Sequence, residues 1–306
     1  SQIKRGIQDF IGAARPSIAD PFLPAKIREG REDEIRECIG CNMCIATWHD
    51  GVWARCTQNP TAGEEYRRGW HPEIVRRDGE GSVLIVGGGP AGLEAALTLG
   101  RRGFTVALAD AAETFGGRLS FEAKLPGLSQ WHRVVDSRLG RLMANVSLYP
   151  ASRLAAADVL DFGAEHVIVA TGARWLANGV SADEYPVEPI AGPRVHTPTD
   201  IAAGVMPEGP VVVFDFDNYY MGGAIAEYLA AQGQAVTYVT TAGFASAWTI
   251  YTNEQPLIHK ALHRRGVAIR TLSLVKAFDG ETVTLADIFS GVQTPLEARS
   301  LVLALA

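Results

Sequence analysis

The stretch SVLIVGGGPAGLEAALTLGRRGFTVALAD, residues 82–110, leaves few folds open. A short apolar run, Ser82 to Val86, reads as a strand. Gly87-x-Gly89-x-x-Gly92 then opens a helix whose apolar positions recur at helical spacing, and a second strand, Thr105 to Ala109, ends at Asp110. Gly87 permits the turn, Gly89 lets a pyrophosphate approach the backbone, and Gly92 lets the helix pack against the strand, with Pro90 and Ala91 between them at the helix start. The helix N-terminus offers N–H groups and a positive dipole end. Asp110 stands where an adenosine ribose would donate hydrogen bonds. The pattern predicts an α/β chain with a nucleotide-binding unit.

All four cysteines lie upstream of this unit, as Cys38, Cys41, Cys44 and Cys56 in the spacing C-x2-C-x2-C-x11-C. Three thiolates two residues apart converge on one small volume, and a fourth from a longer loop closes a four-sulfur site suited to a [4Fe-4S] cube. Zinc sites more often pair two C-x2-C knuckles or mix Cys with His, so zinc and disulfides are the lesser readings. A cube implies one-electron transfer and a reducing interior.

A second strand–helix–strand pattern, VVVFDFDNYYMGGAIAEYLAAQGQAVTYV, lacks the glycines. Counted from the strand, their places fall to Asp215, Asp217 and Tyr220; counted back from the helix, to Asp217 and Tyr219, with Gly222 retained. A carboxylate and a phenol there oppose a pyrophosphate, so a nicotinamide nucleotide is expected to bind badly and the unit to serve packing.

With 306 residues and 47% hydrophobic content, the chain has material for more than one core. A net charge of -6 gives no general basic field for nucleic acid. No apolar run reaches the roughly 20 residues of a spanning helix, and no charged-then-apolar leader is present. The expectations are no nucleic acid, no membrane and a cytoplasmic setting. Beginning at Ser1 and stopping within a strand, Leu301 to Ala306, the chain reads as a piece of a longer protein. Phe10 to Ala14 reads as a buried strand, with Arg15 directly after it and Pro16 blocking its continuation. Arg15 there can hold a phosphate or be merely solvated. Residues 57–77 are expected to wrap the cluster. Tyr66, Trp70 and His71 read as packing and capping groups ahead of an electron path or cofactor pocket.

GGRL at Gly116 to Leu119 and HVIVATG at His166 to Gly172 resemble the continuing motifs of flavoproteins with two dinucleotide domains. Arg118 reads equally as a phosphate ligand or a surface arginine. Thr199 and Asp200 are expected in the loop where such folds cross between domains.

Taken together, CIGCNMCIATWHDGVWARCTQNPTAGEEYRRGWHPE, preceded by GAARPSIADPFLPAKIREGR and followed by VLIVGGGPAGLEAA and IVATGARW, resembles the iron-sulfur flavoprotein family of trimethylamine, dimethylamine and histamine dehydrogenases. It is similar, more weakly, to the 2,4-dienoyl-CoA reductases. The resemblance implies the end of a (β/α)8 FMN barrel at 1–30 and a [4Fe-4S] segment at 31–80. It further implies an ADP- or FAD-binding Rossmann-like domain at 81–208, resumed at 300–306, and a degenerate NAD-binding-like domain at 209–299.

By position, Cys38, Cys41, Cys44 and Cys56 match the cluster ligands. Ala14 and Arg15 match the FMN-phosphate end of the barrel's last strand. Gly87, Gly89, Gly92 and Asp110 match a fingerprint that holds ADP in the amine dehydrogenases and FAD in the reductases. The implied activity is oxidation of a small amine at FMN, with electrons passing singly through the cluster to an electron-transferring flavoprotein, in a homodimer. The catalytic residues are expected in the barrel, so this chain alone is expected to be inactive. The runner-up is an NAD(P)H-dependent enoate reductase, and the third reading an electron-transfer module without turnover.

Overall fold

A computed structural model of the chain describes residues 2–68, 73–179 and 190–305. Among these residues three sheets form. The first joins β1 (Ser82–Val86), β2 (Thr105–Ala109), β3 (Val146–Tyr149) and β4 (His166–Val169), all parallel, in the order β3-β2-β1-β4. Helix Pro90–Arg101 crosses from β1 to β2 and buries Leu93 and Ala96 against Val83, Ile85, Val106 and Leu108. Such a crossover needs a helix between parallel strands, which the 82–110 pattern supplies.

The second sheet contains β5 (Val195–His196), β6 (Val211–Asp215), β7 (Val236–Thr240), β8 (Ala268–Arg270) and β12 (Ser300–Ala304), parallel, in the order β5-β12-β6-β7-β8. An antiparallel meander of β9 (Ser273–Phe278), β10 (Thr282–Asp287) and β11 (Gln293–Glu297) covers one of its faces. Both faces are thus buried, which explains the unbroken apolar run of β6. Val211 and Val213 meet Ile225 and Leu229 of helix Tyr220–Ala231, while Val212 and Phe214 meet Val275, Val283, Leu301 and Leu303.

Against the expected return of the chain to the first unit, Ser300–Ala304 does not join the first sheet. Ser300–Ala304 runs between β5 and β6 in the second sheet, where its alternating side chains fill both layers. Phe10 to Ala14 forms no strand either. Phe10 is 90% exposed, and Ala14 opens a short helix, Ala14–Ala19, with Ser17 N–H donating to Ala13 O and Asp20 N–H to Pro16 O. No described strand runs beside it, so its backbone groups pair within one turn instead. Thr199 and Asp200 lie in helix Pro198–Ala202, not in a loop. Asp200 Oδ2 accepts from Thr197 N–H at 2.7 Å and Thr197 Oγ1 accepts from Asp200 N–H at 3.4 Å, a capping box written in the sequence T-P-T-D.

The segment before the cysteines is fastened to them by buried polar groups. Asp20 accepts from Lys26 Nζ at 2.7 Å and from Arg36 N–H at 2.9 Å, and Asn59 Nδ2 donates to Ile18 O at 3.0 Å. Among the described residues no helix is long and apolar enough to cross a membrane. Leu303, wholly buried between the layers, tests the placement of β12. Leu303→Ala is expected to cost about 2–5 kcal/mol in denaturant unfolding, whereas Val292→Ala on the exposed hairpin shifts stability within about 0.5 kcal/mol.

Candidate functional site

The thiol site is built by a tight winding of the chain. Gly40 (φ 72) and Asn42 (φ 55) take left-handed conformations between the cysteines, and helix Met43–His49 starts immediately after. These bends turn Cys38, Cys41 and Cys44 toward one cavity, which Cys56 closes from the far end of the loop, with Arg15, Ile18 and Ile39 also lining it. Four thiols lining one cavity are a donor set suited to a multi-atom iron-sulfur cube. Gly40 N–H donates to Cys38 Sγ and Gln58 N–H to Cys56 Sγ, each at 3.4 Å, and Thr57 Oγ1 lies 3.1 Å from Cys41 Sγ. Burial pushes the Cys44 and Cys56 thiols up from their ordinary pKa, and Cys41 and Cys38 are near enough to add to the rise. A positively charged core would reverse that by holding all four as thiolates. The residues fit a four-iron cube.

The glycine turn forms a second cavity, lined by Gly87, Gly89, Pro90, Ala91, Asp110 and Arg118. A Cβ on Gly92 would lie 1.9 Å from Gly87 O, and one on Gly87 (φ 108) would lie 2.3 Å from Ala170 O, so both are held to glycine by close packing. A Cβ on Gly89 would meet nothing within 4 Å: this is the open cradle that a pyrophosphate fills. Asp110 Oδ2 accepts from Gly88 N–H at 2.5 Å and Oδ1 from Ala112 N–H at 2.7 Å, which fixes the carboxylate at the end of β2. Arg118 faces the cavity, stacks over Trp175 at 5.0 Å and pairs with Glu122 at 3.1 Å. The residues fit an adenine nucleotide.

Three polar residues that no sequence motif marks tie the helix after the glycine turn to the Cys56 segment. Arg36 grips Glu94 with both terminal nitrogens, at 2.8 and 2.7 Å, and Arg138 Nε pairs with the same carboxylate at 2.8 Å. Both arginines also donate to Gln58 O. Glu94 had a signal in the sequence. It sits two residues past Gly92 among buried positions, with no Lys or Arg three or four residues away to pair with it.

At the second turn the expected acids behave differently from each other. Asp215 is fully buried under helix Tyr220–Ala231, where it accepts from Tyr238 Oη and from Asn218 N–H at 2.9 Å. A Cβ on Gly222 would strike Asp215 Cγ at 2.3 Å, so the retained glycine packs against that acid. Asp217 lies half-buried within the field of Arg118. Arg15 lies beside the thiols, donating to Asn42 Oδ1 at 2.7 Å, and Ala14 starts its helix, so neither ends a strand. Tyr66 stacks on Trp53 at 4.3 Å, a packing role; Trp70 and His71 fall outside the described residues.

Residues 81–305 match the family model described as pyridine nucleotide-disulphide oxidoreductase. The chain belongs to that family. It is 45% identical over 282 residues to dimethylamine dehydrogenase of Hyphomicrobium sp. (strain x), covering 87% of this chain and 38% of that one. The solved structure of histamine dehydrogenase from Rhizobium sp. 4-9 superposes with a TM-score of 0.94 at 47% identity, over 100% of this chain and 48% of that chain. The 6-hydroxypseudooxynicotine amine oxidase of Pseudomonas geniculata N1 gives 0.93 at 49%, over 100% and 46%. The chain thus spans less than half the length of these relatives, and the resemblance to the amine dehydrogenases stands on them.

Two measurements check the site. Gly89→Val should abolish stabilisation by added ADP in a thermal-shift titration while leaving the unliganded melting temperature near that of the parent, because its side chain enters only the cradle. Burial pushes the Asp215 carboxyl from its ordinary 3.8 up to about 7. The folded state therefore holds a proton that the unfolded state releases, and this residue's contribution to stability falls as pH rises from about 4 to 7. Asp215→Asn mimics the neutral acid. Its stability relative to the parent should rise across that window and level off above it in denaturant titrations.

Proposed function

We propose that this chain is the electron-transfer and nucleotide-binding portion of an iron-sulfur flavoprotein amine dehydrogenase. The observation that carries the reading is the pair of cavities: four thiols lining one space, and an open glycine cradle at the start of the helix that Glu94 ties to the Cys56 segment. Cys38, Cys41, Cys44 and Cys56 would hold a [4Fe-4S] cluster. Gly87, Gly89 and the start of helix Pro90–Arg101 would hold ADP, with Asp110 beside the ribose and Arg118 at the phosphates. When bound, the cluster supplies one-electron steps between a flavin and an external acceptor. The chain's own part is to bind, orient and shield these groups. The oxidation of a small amine, the FMN expected near Ala14 and Arg15, the homodimer and the electron-transferring flavoprotein as acceptor belong to the same proposal.

The second turn supports a protein acceptor over a nicotinamide. Asp217 stands in the fingerprint's place at the start of helix Tyr220–Ala231, and Tyr219 caps that helix, so a pyrophosphate would face an acid and a ring. The anaerobic protein should contain about four irons and four acid-labile sulfides per chain, and Cys41→Ala should lose the brown chromophore because no further thiol exists; stoichiometric zinc would overturn the assignment. Nucleotide released by heat should be ADP, and stoichiometric FAD would favour the enoate reductase reading. In the full-length enzyme a methylated amine should bleach the flavin, and NADPH should not do so at a comparable rate.

A further inference from the structure

Arg138 touches neither the nucleotide cavity nor an acid on its own helix, Arg133–Leu139, yet it is 3% exposed. Its Nη1 donates to Gln58 Oε1 at 2.7 Å and to Val134 O at 2.9 Å, and its Nη2 donates to Thr57 O and Gln58 O, each at 3.3 Å. The peptide whose carbonyl belongs to Thr57 carries the N–H of Gln58, and that N–H donates to Cys56 Sγ at 3.4 Å. One chain of hydrogen bonds therefore runs from the guanidinium through a single peptide group to a thiol sulfur. Each bond in such a chain polarises the next. The Cys56 thiolate also lies within the electrostatic reach of the guanidinium itself.

We propose that Arg138 raises the reduction potential of the cluster carried by the thiol cavity, through its buried charge and through the Thr57–Gln58 peptide that it polarises toward Cys56. The proposal rests on the reading that the four thiols hold a cube. Reduction adds one electron and hence one negative charge to the cluster. A positive charge shielded from water at short range stabilises that state more than the oxidised one, and so does a strengthened N–H···S bond. Glu94 sets the balance from the other side. Its carboxylate offsets part of the charge of Arg138 and fixes the guanidinium's direction, while Arg36 shares the same acid.

This division of roles gives opposite signs on mutation, which a merely structural network would not. The full chain, reconstituted anaerobically, is titrated with dithionite and back with ferricyanide in the presence of mediator dyes, with the reduced cluster followed by electron paramagnetic resonance. Each electron gained by the cluster comes from dithionite and is returned to ferricyanide. R138M, which keeps volume and removes charge, should shift the midpoint to more negative potential. E94Q, which keeps the side chain's volume and one acceptor oxygen and removes the counter-charge, should shift it to more positive potential. R138K should fall nearer the parent than R138M does. Shifts of the same sign in R138M and E94Q, or no shift in either, overturn the proposal. If R138M fails to retain iron, E94Q decides alone, an unchanged or lowered midpoint counting against it. A parent chain that holds no cluster by iron and sulfide analysis removes the underlying reading, a result separate from any comparison of midpoints.

Discussion

One buried carboxylate, Glu94, ties the helix that opens at the glycine turn to the segment that carries Cys56. Burial by itself would push the Glu94 carboxyl up, but the fork of Arg36 and the charge of Arg138 outweigh it and hold the group below the usual carboxylate range. The three side chains are between 4% and 15% exposed. A buried arrangement of this kind gains little over a well-packed apolar one, yet removing one partner leaves a stranded charge and costs about 3–5 kcal/mol. Its value is therefore positional. Glu94 rides on the helix that opens at the glycine turn, and the arginines that grip it also hold Gln58 O, two residues after Cys56. The last thiol and the helix after the glycine turn are thereby placed by the same three side chains.

The two strand–turn–helix units show how one backbone plan is kept open or closed by a few residues. In both, a glycine lets the helix approach the preceding strand, with Gly92 against Gly87 O and Gly222 against Asp215. In the first unit the residue at the apex, Gly89, leaves free space. In the second the strand ends in a buried acid tied to Tyr238, and the helix begins at a tyrosine. The second sheet retains its layered core, with a helix on one face and the meander on the other. The layered core needs only alternating apolar residues, whereas a cradle needs three small ones, so the second unit can keep its core without a cradle.

The sequence also reached its limits at identifiable residues. The capping box at Thr197 and Asp200 is legible as T-P-T-D, and it makes a helix where a crossover loop is expected. Phe10 to Ala14 has the composition of a strand, but strands exist only by pairing. The acid at Glu94 has no local basic partner in the sequence, and its charged partners lie 58 residues before it, at Arg36, and on another helix, at Arg138.

What the sequence by itself determined was whatever follows from backbone geometry over a few residues. The glycine turn, the strands beside it, the spacing of the thiols and the loss of the second cradle all belong to that class, because φ/ψ freedom and side-chain volume act within a turn or two. Only the tertiary structure decided that Ser300–Ala304 lies between β5 and β6, that Arg15 faces the thiols, and that Arg138 reaches Cys56 through the Thr57–Gln58 peptide. Sheet order and buried charge pairing depend on the path of the chain between distant segments, and the energies that select them are shared among groups that no local pattern brings together.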